Sequence, residues 1–336
     1  MKRYGNLFEK IISIENLELA DKKARLGKSN KYGVRVHDRN KEENIQKLHD
    51  MLVAGTFKTS SYKTMVIYEP KERLIYKLPY YPDHILHHAI MNILEPILVG
   101  SMTSDTYANI KGRGIHACAE KLKLVLRTNR EGTMYCLKID IRKYYPNIDH
   151  EILKREIRRK IKDTRLLNLL DGIIDSEVGL PIGNYLSQYF ANVYLSRFDH
   201  RIKEVHKAKY YFRYVDDMVF LAGTKEELWK LLNIIREELT ELRLELKDDF
   251  KVFPVESRGI DFVGYRFFHT YTLLRKRMKK RIFKRIGKYN KGKISEDTFK
   301  KSMASYNGWL KWSDSYRLRE KIKTTIKSKK DEILLL

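Results

Sequence analysis

Two aromatic, β-prone runs, Tyr210–Tyr214 and Met218–Leu221, are separated only by Val215-Asp216-Asp217. So short an interval joins two strands only as a tight reversal, so the sequence predicts a hairpin with two carboxylates at its tip. A third aspartate, Asp140, closes another apolar run, Met134–Ile139, and Pro146 and Asn147 mark a turn beyond it. Carboxylates at strand ends are rigidly held yet escape full burial, which is how sites for hard divalent cations are built. Two such cations about 4 Å apart can activate an attacking hydroxyl and stabilise a leaving phosphate together. The spacing alone also fits a polar hairpin turn and an ordinary strand end, and at this level both readings stay open.

The rest of the chain alternates helix and strand. Ile45, Leu48 and Leu52 have helical spacing within Asn44–Val53, and Gly55 ends that helix. Tyr62–Tyr68 and Leu74–Leu78 read as short strands joined by the turn Glu69-Pro70-Lys71-Glu72. A buried helix is expected over Asp83–Leu98, and another from Ser187 to Val205, where apolar side chains return every three or four residues. Thr224 with Glu227 forms a capping box that opens a helix to about Leu242. The basic, Gly-containing stretch Lys22–Arg39 reads as a loop or flexible arm, a candidate nucleic-acid contact as much as a solvated loop. Arg275–Lys301 holds 13 basic residues against two acidic ones, and helix is expected around Trp309 and Trp312, with a domain boundary near Phe267.

Charge narrows the class of partner. The 336-residue chain carries a formal net charge of +25, while 43% hydrophobic and 11% aromatic residues argue against global disorder. That surplus calls for a polyanion. Basic residues spread along the whole length and interleaved with 22 Tyr and 13 Phe favour nucleic acid over a membrane surface. No apolar window approaches the ~20 residues that span a bilayer, and the N-terminus does not read as a secretory signal, so no membrane segment is expected. Cys118 and Cys136 form neither a CxxC pair nor a disulfide framework, which suits a reducing cytoplasm. His84, His87 and His88 have a metal-compatible spacing but no Cys or acidic partner set, so a metal role is not expected of them.

Four segments, in order, resemble the motifs of reverse transcriptases. Tyr214-Val215-Asp216-Asp217 looks like the YxDD signature, and LKIDIRKYYPNID (Leu137–Asp149) looks like the first catalytic-aspartate motif. GLPIGNYLSQYFANVYLSRFDH (Gly179–His200) resembles the segment between them, and GIDFVGYRFF (Gly259–Phe268) resembles the primer grip. Upstream, Arg73–Leu98 and Tyr107–Glu120 match the fingers motifs, so nearly all of residues 60–320 is accounted for.

The resemblance implies an α+β right-hand polymerase fold. It would comprise an N-terminal helical and basic extension (1–60), fingers with part of the palm (61–133), an antiparallel-sheet palm (134–267) and a helical thumb (268–336). It implies RNA-directed DNA synthesis with Mg²⁺, or Mn²⁺, as cofactor. Asp140 and Asp216 would ligate both metals with the carbonyl of Ile141 assisting, and Asp217 would be a weaker ligand. Arg73 would hold the incoming triphosphate, with Lys111 and Arg113 as weaker nucleotide or template contacts. Tyr145 would lie under the sugar and exclude a 2′-hydroxyl, and Phe262, Gly264 and Tyr265 would position the primer end.

Departures from the common pattern point to a subgroup. Most members have Gln where Ile182 stands, before Gly183, and Ser-Pro where Ser187-Gln188 stands. LPIGN…SQ looks like the reverse transcriptases of diversity-generating retroelements, relatives of group II intron enzymes, which copy a template RNA with errors at its adenines. SYNGWLKWSDSYRL (Ser305–Leu318) resembles their thumb. Partners so implied are template RNA, the cDNA primer and product, dNTPs and a basic pentameric accessory protein. A defence-associated or group II-like enzyme, or a catalytically silent RNA-binding protein, are the rival readings. After Leu246, Lys247-Asp248-Asp249-Phe250-Lys251 replaces the usual Asn-Pro-x-Lys-Thr, which leaves open which lysine approaches the triphosphate.

Overall fold

The computed structural model describes residues 2–68 and 72–326. It divides into two compact units, one formed by residues up to Ser104 with Ile141–His206 and Ile235–Leu246, the other by Asp105–Asp140, Lys207–Ile234 and the chain from Lys247 onward. The expected combination of helices with antiparallel sheet is the one observed.

In the first unit, two helices are buried on most sides and form its centre. Ile85–Val99 buries Leu86, Ala89, Ile90 and Leu94, and Tyr185–His200 buries Leu186, Phe190, Val193, Tyr194 and Phe198. Such helices cannot be surface elements, and the others pack their apolar stripes onto them. Side chains set the helix starts. Asn184 accepts from the Leu186 amide at 3.0 Å, and Asp149 from the Ile152 amide at 3.0 Å. Asp163 caps Thr164–Ile174 through Leu166 and also accepts from the Leu7 and Phe8 amides at 2.7 and 2.9 Å, so one carboxylate serves two helix N-termini. A two-stranded ribbon, β1 (Lys63–Tyr68) with β2 (Glu72–Lys77), completes the unit. Three residues of its expected turn, Glu69, Pro70 and Lys71, lie outside the described residues.

The stretch Lys22–Arg39 differs from expectation. Helix Ile14–Ala24 reaches into it, and a further helix covers Tyr32–Arg39. Only Val34 and His37 of the latter are buried, too few to make a visible apolar period. What fixes the helix is polar. The His37 ring lies 5.6 Å from the rings of both Tyr80 and Tyr81, and its Nε2 is 3.5 Å from Asp21 Oδ1.

The second unit is built on a four-stranded antiparallel sheet in the order β4-β5-β3-β6, with β3 at Tyr135–Asp140, β4 at Tyr210–Tyr214, β5 at Asp217–Ala222 and β6 at Lys251–Pro254. A three-stranded sheet follows, β7 (Ile260–Phe262), β8 (Tyr265–Phe267) and β9 (Thr272–Leu274). Cys136, Phe212, Val219 and Phe253 of the larger sheet share a core with Phe262, Tyr265 and Phe267, and with Ile282, Phe299 and Leu310 from the helices beyond. The Thr224 cap is formed, with the Glu227 amide donating to Oγ1 at 3.2 Å, and its helix ends at Thr240. The basic run becomes the helix Lys276–Asn290, which buries Ile282 and Ile286 and leaves the greater part of its cations exposed. Among the described residues, no helix is long and apolar enough to cross a membrane.

Asp21 is the polar anchor of the N-terminal helices. Fully buried, it accepts from the Tyr80 hydroxyl at 2.5 Å and from Arg25 at 2.8 Å, with Lys41 at 3.5 Å. Burial alone would raise its pKa, but hydrogen bonds from Arg25 and Tyr80 outweigh that and hold it below the usual 3.8. Its stabilising contribution is therefore present above the unfolded-state value and is lost as pH falls through the depressed folded value. Asp21→Asn should cost about 1–3 kcal/mol at pH 7, since it removes the charged acceptor of the buried Tyr80 hydroxyl and of Arg25. Chemical denaturation at pH 7 and pH 3 checks this, and the gap between variant and wild type should shrink at the lower pH.

Candidate active site

Antiparallel register brings the three aspartates together. Asp140, the last residue of β3, pairs with Asp217, the first of β5, and Asp217 pairs in turn with Tyr214 at the end of β4. Asp216 lies in the intervening turn, behind Val215, whose φ is +60°. A β-branched residue rarely adopts that conformation, so something must hold it there. Arg213 does so in part. Its side chain is fully buried, donates to the Val215 carbonyl at 3.1 Å, and lies 3.4 Å from Thr106 Oγ1, while its backbone pairs with Asp105 and Tyr107. An arginine between Phe212 and Tyr214 reads in the sequence as an outward strand position, so this support had no signal there.

Two ammonium groups offset the carboxylates. Lys247 Nζ lies 2.5 Å from Asp140 Oδ2, and its amide donates to the Asp140 carbonyl at 2.9 Å. Lys138 Nζ lies 3.2 Å from Asp217 Oδ2. The second oxygens, Asp140 Oδ1 and Asp217 Oδ1, are buried without a protein partner. Burial, followed by repulsion from Asp140, pushes the Asp216 carboxyl up to about 6. Asp217 is also pushed up to about 6, chiefly by burial, with Lys138 pulling in the opposite direction. Lys247 is thus the lysine of the divergent segment that meets an aspartate, while Lys251 lines a cleft of about 400 Å³ beside Asp140 with Lys138, Arg258, Arg266 and Arg275.

These residues suit a divalent cation. Among the described residues, no three His, Cys, Asp or Glu side chains form a complete cage. A pair of carboxylates with buried unpartnered oxygens is instead the donor set of Mg²⁺, which keeps several waters and takes further oxygens from substrate phosphates. The unpartnered oxygens are those of Asp140 and Asp217, and the Asp216 carboxyl lies beside Asp140, so Asp140 with its two neighbours would hold it.

The remaining expected residues fall into two groups. In the second unit, Lys111 and Arg113 occupy the loop before the helix Ile115–Thr128. Phe262 and Tyr265 are fully buried, so any influence on a primer passes through the turn they anchor. At that turn Gly264 has φ +94°, and a Cβ there would sit 2.4 Å from the Trp309 ring, which excludes other residues. In the first unit, Tyr76 donates to the Ile182 carbonyl at 2.8 Å, and a Cβ on Gly183 would lie 2.5 Å from the Tyr76 carbonyl. That clamps the Pro181–Asn184 turn onto β2, the strand whose exposed Arg73 lies three residues earlier. Tyr145 accepts from the Leu180 amide at 2.8 Å, and Gln188 lies half-buried in the first turn of Tyr185–His200. His87 and His88 belong to helix Ile85–Val99, where His87 is buried and His88 stacks 4.1 Å from Tyr185. A larger cavity in the first unit, about 620 Å³, is lined by Phe8, Leu52, Phe57 and Arg165 and holds no carboxylate.

Comparison with known proteins supplies the context. Residues 63–267 match the family model described as reverse transcriptase (RNA-dependent DNA polymerase). Protein YkfC of Escherichia coli (strain K12) is 25% identical over 285 residues, covering 70% of this chain and 72% of that protein. The group II intron-encoded protein LtrA of Lactococcus lactis subsp. cremoris is 27% identical over 173 residues, covering 47% of this chain and 28% of that protein. The nuclear intron maturase 4, mitochondrial, of Arabidopsis thaliana is matched over 27% of its own length at 25% identity, so the chain spans about a quarter of such relatives. Among solved structures, apo telomerase from Candida tropicalis matches with a TM-score of 0.49 at 14% identity, covering 63% of this chain and 48% of that one.

The raised aspartates carry a pH consequence. A carboxyl whose folded pKa exceeds its unfolded value favours the fold at low pH, and that contribution is lost as pH rises from the ordinary 3.8 to about 6. A bound cation relieves that strain only where the carboxylates are ionised. The rise in melting temperature on adding Mn²⁺ should therefore be larger at pH 7.5 than at pH 5, by a few degrees, in thermal melts of the nucleic-acid-free protein. An equal rise at both pH values would contradict the assignment.

Proposed function

The chain belongs to the reverse transcriptase (RNA-dependent DNA polymerase) family, and from that premise we propose that it extends a primer 3′-hydroxyl with dNTPs on an RNA template, releasing pyrophosphate. The observation that carries the reading is the pairing of Asp140 with Asp217 in one strand register, with Asp216 in the adjoining turn, a buried unpartnered oxygen on each of the paired two, and two adjacent ammonium groups. When bound, Mg²⁺ or Mn²⁺ would lower the pKa of the primer hydroxyl and stabilise charge on the leaving phosphate. Asp140 and Asp216 orient that site. Lys247, whose ammonium lies beside Asp140, would add positive charge next to phosphate held at that site.

On this reading Arg73 binds the triphosphate, Lys111 and Arg113 contact nucleotide or template, and Tyr145 excludes ribonucleotides. The Val263-Gly264 turn guides the primer end. Domain limits of 61–133 for fingers, 134–267 for palm and 268–336 for thumb belong to the same proposal. The exposed cations of Lys276–Asn290 would hold the duplex through its phosphates.

The finer proposal is error-prone copying at template adenines within a diversity-generating retroelement, with a basic pentameric accessory protein as partner. It rests on Ile182, whose apolar side chain replaces an amide that could hydrogen-bond the incoming nucleotide, and on Ser187-Gln188. A chain of net charge +25 would repel a basic partner, so RNA would bridge the two. Similarity to LtrA favours a second reading, a group II-like enzyme of ordinary fidelity.

Asp216→Asn with Asp217→Asn should abolish primer extension while changing RNA affinity by less than about twofold, read by gel-shift titration beside the extension assay. Retained synthesis would refute the assignment. Ile182→Gln should lower misincorporation opposite template adenine by about tenfold, as a recovered hydrogen bond of ~1–3 kcal/mol would allow. Sequencing of the cDNA decides, and an unchanged error spectrum would favour the group II-like reading.

A further inference from the structure

Lys138 lies two residues before Asp140 on β3, so the two side chains leave the same face of the strand. Its ammonium makes three contacts at once. It lies 3.2 Å from Asp217 Oδ2, donates to the Asp261 carbonyl at 2.6 Å, and sits 5.8 Å from the centre of the Phe262 ring. Asp217 begins the strand after the aspartate turn, while Asp261 and Phe262 belong to β7, which leads into the Val263-Gly264 turn. A single cation therefore ties the carboxylate cluster to the strand that carries the primer-grip motif.

A surface salt bridge would contribute little and would tolerate any replacement. Lys138 is different in two respects. Both it and Asp217 are largely withdrawn from solvent, with side chains 27% and 30% exposed, and its backbone acceptor on β7 is bonded at shorter distance than the carboxylate. An ammonium has three donors in tetrahedral array, so it can serve a carboxylate and a carbonyl from different strands simultaneously. No apolar side chain of similar length can.

We propose that Lys138 is a positioning residue of the polymerisation centre, occupying Asp217 Oδ2 so that Asp140 and Asp216 remain the principal cation ligands, and fixing β7 at a set distance from them. The proposal rests on the functional reading above. It also accounts for an asymmetry between the two adjacent aspartates, since Asp217 has an ammonium on one oxygen and Asp216 is paired with no lysine at salt-bridge distance among the described residues.

The test compares Lys138→Met, Lys138→Arg, Asp217→Asn and the Lys138→Met/Asp217→Asn double variant, each checked for folding by thermal melting. Mn²⁺ binding to the nucleic-acid-free protein, followed by electron paramagnetic resonance, is the first readout. Lys138→Met should tighten binding by about fivefold, because the cation that competes for Asp217 is gone, and this gain should vanish in the Asp217→Asn background. Steady-state extension is the second readout. Lys138→Met should raise KM for primer–template by about fivefold or more with a smaller change in KM for dNTP, and Lys138→Arg should restore much of the primer effect. If Mn²⁺ affinity and primer KM both stay within twofold of wild type, the proposal is overturned. Should Lys138→Met fail to fold, Lys138→Gln, uncharged but still polar, takes its place under the same criterion. Wild-type protein that binds Mn²⁺ but extends no primer would sink the functional reading instead, and the metal readout would still judge the competition between Lys138 and the cation.

Discussion

Carboxylates gathered out of water repel one another, and each has lost the hydration that makes its charge tolerable. At the ends of β3 and β5 that penalty is visible in the raised pKa values of Asp216 and Asp217. The second unit is organised around managing it. Register holds Asp140 against Asp217, Arg213 holds the strained Val215 turn by its carbonyl, and Lys138 and Lys247 each offset one carboxylate. Asp140 Oδ1 and Asp217 Oδ1 remain without a protein partner, and with the Asp216 carboxyl beside Asp140 they leave acidic oxygen available to a hard cation.

The parts of this arrangement visible in the sequence are those with a local signature. Aromatic strands around Val215-Asp216-Asp217 admit only a hairpin, and the Thr224–Glu227 box marks its own helix start. Apolar periods place Ile85–Val99 and Tyr185–His200 at the centre of the first unit. The remainder depends on contacts across long sequence separations. A lysine inside LKID reads as a solvent-facing strand residue, and only the approach of β5 and of β7, the latter over a hundred residues later, gives Lys138 its partners. Helix Tyr32–Arg39 is hidden for the same reason, because His37 is held by Asp21, Tyr80 and Tyr81 and not by an apolar stripe. Lys247 and Lys251 are indistinguishable as sequence, and become distinct once the Lys247 amide bonds the Asp140 carbonyl and β6 begins at Lys251.

Charge follows the same division. The surplus of +25 is a coarse statement that the chain meets a polyanion. Structure separates it into cations that serve the protein itself, such as Arg25 on Asp21 and Lys138 on Asp217, and cations left facing solvent, such as those of Lys276–Asn290. The second kind is exposed to a polyanion, so salt should weaken nucleic-acid binding far more than it disturbs the carboxylate cluster.

The central claim is that Asp140 and Asp216 hold the catalytic cations while Asp217 stays engaged with Lys138. Anomalous diffraction from crystals grown with primer–template, a non-hydrolysable dNTP and Mn²⁺ tests it most directly. The account predicts two ions about 4 Å apart, each bound by Asp140 and Asp216, with Asp217 Oδ2 still on the Lys138 ammonium. Ions bound elsewhere in the chain, or centred on Asp217 with Asp216 turned away, would contradict it.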